Sequence, residues 1–160
     1  MKYGFPALLI AAMFFGQEAS AAPFKLDFQK ADAQTVGVIR ELLPEELAEA
    51  DQYAKTPFGQ ESPFRILAAR AKVSESKAPY LFVEITSYAL CGNINCAIWG
   101  FEPTKNGWRK VFDGIGEDWT ILSSTHHGHR DISELKHGGL GMDGKLVFRW
   151  TGGKYRPISK

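Results

Sequence analysis

The chain has 160 residues, 44% of them apolar, which suits one ordinary domain with a real core. Its 19 Lys and Arg nearly balance 18 Asp and Glu, for a formal net charge of +1, and neither sign runs in a block. That balance argues against a nucleic-acid binder, and beyond the N-terminus no stretch is apolar enough to span a bilayer.

The first residues carry a three-part export pattern. Lys2 supplies a basic start, Phe5 to Gly16 is apolar or small throughout, and Ala19 and Ala21 occupy the −3 and −1 positions of a cleavage site. A signal peptide over 1–21 is expected, cut after Ala21 with Ala22 as the second choice. The apolar run is too short for a membrane anchor, and no Cys follows that could carry a lipid. The remainder, 22–160, reads as one periplasmic or secreted domain without a transmembrane segment.

Thr35 to Tyr53 reads as helix in two pieces. Val36, Ile39, Leu42 and Leu43 recur at helical spacing, and Pro44-Glu45-Glu46 interrupts them with a good first turn for a second helix. Thr56 to Pro63 is punctuated like a loop. From Phe64 onward the period changes to two. Phe64 to Val73 reads as a strand, Ser74 to Pro79 as a polar turn and Tyr80 to Tyr88 as the clearest strand. In that strand Leu81, Val83 and Ile85 face one way, and the Tyr80, Phe82 and Glu84 face is expected to be half exposed. Ala97, Trp99 and Phe101 alternate on the next strand, Asn106-Gly107 marks a hairpin and Trp108, Lys110 and Phe112 return. Asp113-Gly114 reads as a further turn, followed by strands over Trp119 to Thr125 and Lys145 to Trp150, with a last turn at Gly152-Gly153. Helices first, then antiparallel strands, predicts an α+β fold: N-terminal helices packed on an antiparallel meander sheet. The four tryptophans all fall in the strand half and are expected in the core.

Cys91 and Cys96 are most simply a disulfide in an oxidising compartment. Their spacing is neither the Cys-x2-Cys of redox sites nor that of haem attachment. The bridge would shape Gly92-Asn93-Ile94-Asn95, and Asn93, Ile94 and Asn95 are the candidate partner-binding residues.

His126, His127, His129 and Asp131 form the other constellation. His-x-His on a strand puts both imidazoles on one face, so His127, His129 and Asp131 are a candidate zinc or copper set. Asp131, Glu134, Glu117 and Asp118 could supply a glycosidase-type carboxylate pair. Ser123-Ser124 near His126 lacks the Gly-x-Ser-x-Gly elbow, and the glycines from Gly138 to Gly144 lack a phosphate-loop ending.

Cys-x4-Cys-x2-Trp, Gly107-Trp108, Gly128-His129-Arg130-Asp131-Ile132 and Trp150-Thr151-Gly152-Gly153-Lys154-Tyr155 together resemble a layout in small secreted proteobacterial proteins of unknown function. The resemblance implies export and a β-rich domain, and brings no catalytic residues. The cysteine spacing is also similar to that of a periplasmic lysozyme inhibitor, whose loop holds a basic residue and a His where this chain has Gly-Asn-Ile-Asn. The leading expectation is a periplasmic non-enzymatic binding or inhibitory module for a protein partner, from the envelope or foreign. The alternatives are a metal-binding protein or metal-dependent enzyme using the histidines, and a structural envelope component.

Overall fold

The computed structural model describes residues 21–54, 64–91, 95–136 and 144–158. The expected signal segment up to residue 20, the loop over Thr56 to Pro63, and the glycine-rich run before Gly144 lie outside the described residues.

The two helices form where their end signals stand. Helix α1 covers Ala33–Leu42, and the Asp32 carboxylate accepts the Thr35 N–H at 2.7 Å as its N-cap. Those hydrogen bonds hold the Asp32 carboxyl below its ordinary pKa. Pro44 cannot continue α1 and instead opens α2, Pro44–Ala54, with Glu45 and Glu46 at its positive end. A third helix, α3, is a single turn over Tyr88–Cys91.

The strands are β1 (Phe24–Lys25), β2 (Gln29–Lys30), β3 (Arg65–Ala71), β4 (Tyr80–Thr86), β5 (Cys96–Thr104), β6 (Gly107–His126), β7 (His129–Lys136), β8 (Gly144–Trp150) and β9 (Tyr155–Pro157). From β2 to β9 they are neighbours in chain order and antiparallel, while β1 pairs with β6. Strand β6 organises the molecule. Its first half pairs with β5; its second half pairs with β1 and β7, after register shifts between Glu117 and Thr120 and between Ile121 and Thr125. Asp118 sits in the first of these with φ 50°. Such bulges bend a strand and raise its twist, and β6 therefore serves two sheet halves.

The main core lies between those halves. Tyr80, Phe82 and Ile98 from one meet Phe112, Trp119, Ile132, Phe148, Trp150 and Tyr155 from the other. Phe112 is central, edge-on to Phe82, Trp119, Phe148 and Tyr155 with centroid distances of 6.3, 5.3, 4.9 and 5.9 Å. Each such ring buried contributes about 1.5–3 kcal/mol by area, with a further ~0.5–1.5 kcal/mol per well-oriented aromatic pair. A second cluster joins Ile39, Leu43, Leu47 and Ala50 of the helices to Leu81, Val83, Ile85, Trp99 and Phe101. Trp99, Trp119 and Trp150 are buried, while Trp108 is half buried.

The α+β expectation is corrected. Strand accounts for 56% of the described residues and helix for 21%, so the fold is mainly antiparallel β. Two causes operate. Strands β1, β2 and β7 are too short or too polar to show a clear alternation, and Asp113-Gly114, expected as a turn, lies inside β6. The sheet also supplies its own second layer by bending at β6, so Tyr80 and Phe82, on the face expected to be half exposed, are fully buried, while Glu84 and Thr86 on the same face are half buried.

Candidate functional site

The tip of the β6–β7 hairpin holds the histidines. His126 pairs with His129, leaving His127-Gly128 as a two-residue loop. Both loop residues have positive φ, 51° and 75°, the signature of a type I′ turn. This geometry separates the expected metal set. His127 is exposed at the turn, whereas His129 and Asp131 are buried and already engaged. Among the described residues, no group of three or more His, Cys, Asp or Glu side chains is arranged to hold a metal ion.

His129 belongs to a buried polar chain. Tyr80 donates its hydroxyl proton to Glu102 Oε1 at 2.9 Å, so its oxygen accepts from His129 Nε2, also at 2.9 Å. His129 Nδ1 faces the His127 carbonyl at 3.0 Å, where only a donor fits. Trp150 stacks on the ring, with centroids 4.0 Å apart and planes 10° from parallel. Glu102 is also paired with Arg109 and, at 3.5 Å, with Lys77. Burial works to raise the Glu102 pKa, but the bonds from Arg109 and Tyr80 and the nearby positive charges outweigh it and hold the pKa low. Burial and the Glu102 carboxylate push the Tyr80 phenol far upward. The chain ties β7 to β4 and β5, and Trp150 covers it.

Asp131 anchors a second group. Its Oδ1 lies 2.7 Å from His126 Nδ1, its Oδ2 accepts from Ser124 Oγ at 2.7 Å, and Arg149 Nε stands 3.7 Å away. Ser124 gives its proton to the carboxylate, so its hydroxyl is not set against the imidazole as a nucleophile would be. The neighbouring Arg130 works on the N-terminal segment, donating to the Ala21 and Ala22 carbonyls at 3.0 and 2.7 Å and lying over the Phe24 ring.

Cys91 and Cys96 are disulfide-bonded. Of the expected loop contacts, Asn93 and Ile94 lie outside the described residues, and Asn95 is half buried beside Cys96. Below the disulfide, Cys96 lines a cavity of about 300 Å³ with Glu84, Glu117, Asp118, Lys25 and Trp119. Burial, then the charge of Glu117, raises the Glu84 pKa. Asp118 is paired with Lys25 at 3.0 Å on the open side. Trp119 is 3% exposed, and its indole N–H has no acceptor among the described residues. Leaving such a donor unmet costs about 1–3 kcal/mol.

A cleft of about 460 Å³ adjoins this cavity across Gly114 and Gly116 of β6. Glu134, 1% exposed, is among its lining residues. A Cβ at position 114 would stand 2.6 Å from the Trp119 ring, so that position needs glycine, while one at 116 would stand 2.9 Å from Glu134 Oε2 and displace that side chain. The carboxylates considered for glycosidase chemistry are thus divided: Glu117 and Asp118 line the cavity, Glu134 the cleft, and Asp131 belongs to the hairpin tip. Glu84 and Trp119, the most informative lining residues, read in the sequence as ordinary strand positions. Only the raised pKa and the unmet donor, both tertiary effects, mark them.

The chain matches no family model, no curated protein and no solved structure.

Proposed function

We propose that the protein is an exported, non-enzymatic binding module that holds a basic peptide segment of a protein partner in the acid-lined cavity beneath its disulfide. The observation that carries this reading is the lining of that cavity, where three carboxylates face one lysine in a chain of net charge only +1. A basic peptide fits this lining: its cationic side chains complement Glu84 and Glu117, and a main-chain carbonyl accepts from the Trp119 indole. The disulfide holds the strand end that forms one wall, as expected of a rigid, preorganised interface. The disulfide and the absence of a long apolar helix among the described residues are compatible with an oxidising, extracytoplasmic compartment. The partner is an envelope protein or a foreign one.

Calorimetric titration of the purified domain with a lysine-rich hexapeptide and a glutamate-rich one tests the reading. The basic peptide should bind, more weakly at higher salt. The pair Glu84→Gln and Glu117→Gln should cost about tenfold or more in affinity, since bonds to charged groups carry ~1.5–3 kcal/mol each. Alanine changes at Asn93, Ile94 and Asn95 should weaken it further while leaving the fold intact. Equal response to the two peptides would end the proposal.

Glu84 adds an independent signature. Its folded pKa is raised, so its contribution to stability is greatest below the unfolded value of about 4.3 and is lost as pH climbs through the folded pKa. Glu84→Gln should therefore be the more stable protein at pH 7, with the advantage vanishing near pH 4. Thermal melts across that range check it. Stability given up at a binding residue is the expected trade-off.

A further inference from the structure

We propose that the groove between the start of β3 and helix α1 is a second binding site, one that takes a medium-chain carboxylate by its apolar tail and its anionic head. The groove exists because β2 is short. Gln29 and Lys30 pair with Ala68 and Leu67, the Ala31 N–H donates to the Ile66 carbonyl at 3.0 Å, and the chain then leaves the sheet for α1. Beyond that bond, the outer edge of β3 at Arg65 has no strand beside it among the described residues. Val36 of α1 completes the lining, and the space enclosed is about 590 Å³, within the ~300–1,000 Å³ range of small-molecule sites.

The lining separates tail from head. Phe64 and Ile66 pack against the helix cluster but stay half buried, and so does Val36. Alternation along β3 turns Arg65 and Leu67 to the other side, and Lys30 stands opposite Leu67 in the register, so both cations lie on that side. Lys30 and Arg65 are exposed, neither has an ion pair among the described residues, and no Asp or Glu is among the lining residues. Asp32, two residues after Lys30, gives its carboxylate to the Thr35 N–H. An alkyl tail laid on Val36, Phe64 and Ile66 takes their apolar surface out of water. A carboxylate meets Arg65, whose planar fork matches its two oxygens, and Lys30 as a point charge. A peptide strand added at this edge fits less well, because so short a free stretch offers few ladder bonds. The charge is opposite to that of the cavity beneath the disulfide, so the two sites take different ligands.

The experiment is a titration of the full exported domain with octanoate and with 1-octanol, followed by NMR shifts of the Val36 and Ile66 amides. Octanoate should bind saturably, and octanol at least about tenfold more weakly, as it lacks the charge-assisted bonds. Lys30→Gln with Arg65→Gln, two changes at exposed positions, should remove the advantage of octanoate over octanol. Val36→Trp should weaken both ligands by filling the groove. Glu84→Gln with Glu117→Gln should leave octanoate binding intact, so this site and the acid-lined cavity succeed or fail separately. Equal binding of the acid and the alcohol, binding of neither, or an advantage of octanoate retained in the Lys30 and Arg65 double variant would overturn the proposal. So would capture by phosphatidylglycerol vesicles without binding of octanoate, which would assign the two cations to a membrane surface.

Discussion

At the scale of single residues, polar side chains in this protein are settled by who their neighbours are. Tyr80 shows it most plainly. It lies on the clearest strand of the sequence, yet its hydroxyl joins Glu102 to His129 inside the core. Tyr80→Phe leaves the packing volume almost unchanged and withdraws one donor and one acceptor. The expected cost is about 1–3 kcal/mol, because Glu102 and His129 are left short of partners. Urea denaturation at pH 7 measures it. The pH dependence has a definite sign. Glu102 has a lowered folded pKa, so its stabilisation is full above the unfolded value of about 4.3 and drains away as pH falls through the folded value. The deficit of Tyr80→Phe should accordingly shrink in acid. A deficit that is constant from pH 7 to pH 3 would mean that the phenol contributes nothing through the carboxylate.

Secondary elements follow local signals where those signals are backbone constraints. Asp32, Pro44 and the acidic first turn delimit two helices, much as the sequence indicates. The β6–β7 hairpin is held by Gly128 at φ 75°. No atom lies within 4 Å of a Cβ added there, so the cost of Gly128→Ala is purely conformational. A left-handed residue other than glycine costs roughly 1–2 kcal/mol. The variant should lose about that much stability, and the His126–Asp131 contact should loosen, visible as a shift of the His126 ring resonances. Undiminished stability would show that the turn tolerates another form. The hairpin of β5 and β6 teaches the limits of such signals. Thr104 pairs with Gly107, so the loop is Lys105-Asn106, one residue before the Asn106-Gly107 expected.

On the scale of the whole molecule, stability concentrates where the bent sheet closes. Phe112 touches four aromatic rings from both halves. Phe112→Ala should cost about 3–5 kcal/mol, near the top of the range for core truncations, because rings held by strands cannot collapse into the space. Equilibrium unfolding reads this directly, and a cost under about 1 kcal/mol would place the core elsewhere. The same closure forms the cavity beneath the disulfide and the cleft beside Gly114. Glycines 114 and 116 leave room on β6, and Glu134 arrives from β7 to occupy it.

The sequence by itself determined the local features: the break at Pro44 and the alternation of β4 and β5. It also brought the two cysteines close enough to bridge. Each is set by backbone torsion or by a period shorter than one element. Only the tertiary structure decided that β6 runs unbroken through Asp113-Gly114, that Tyr80 and Phe82 are interior, and that His127, His129 and Asp131 part company at the turn. It alone brought Glu84 to the disulfide and Glu134 to the glycines. The physical reason is the same throughout. Burial and electrostatic environment are properties of residues far apart in the chain, and a strand that bends to serve two sheet halves gives no periodic sign of which half each side chain will face.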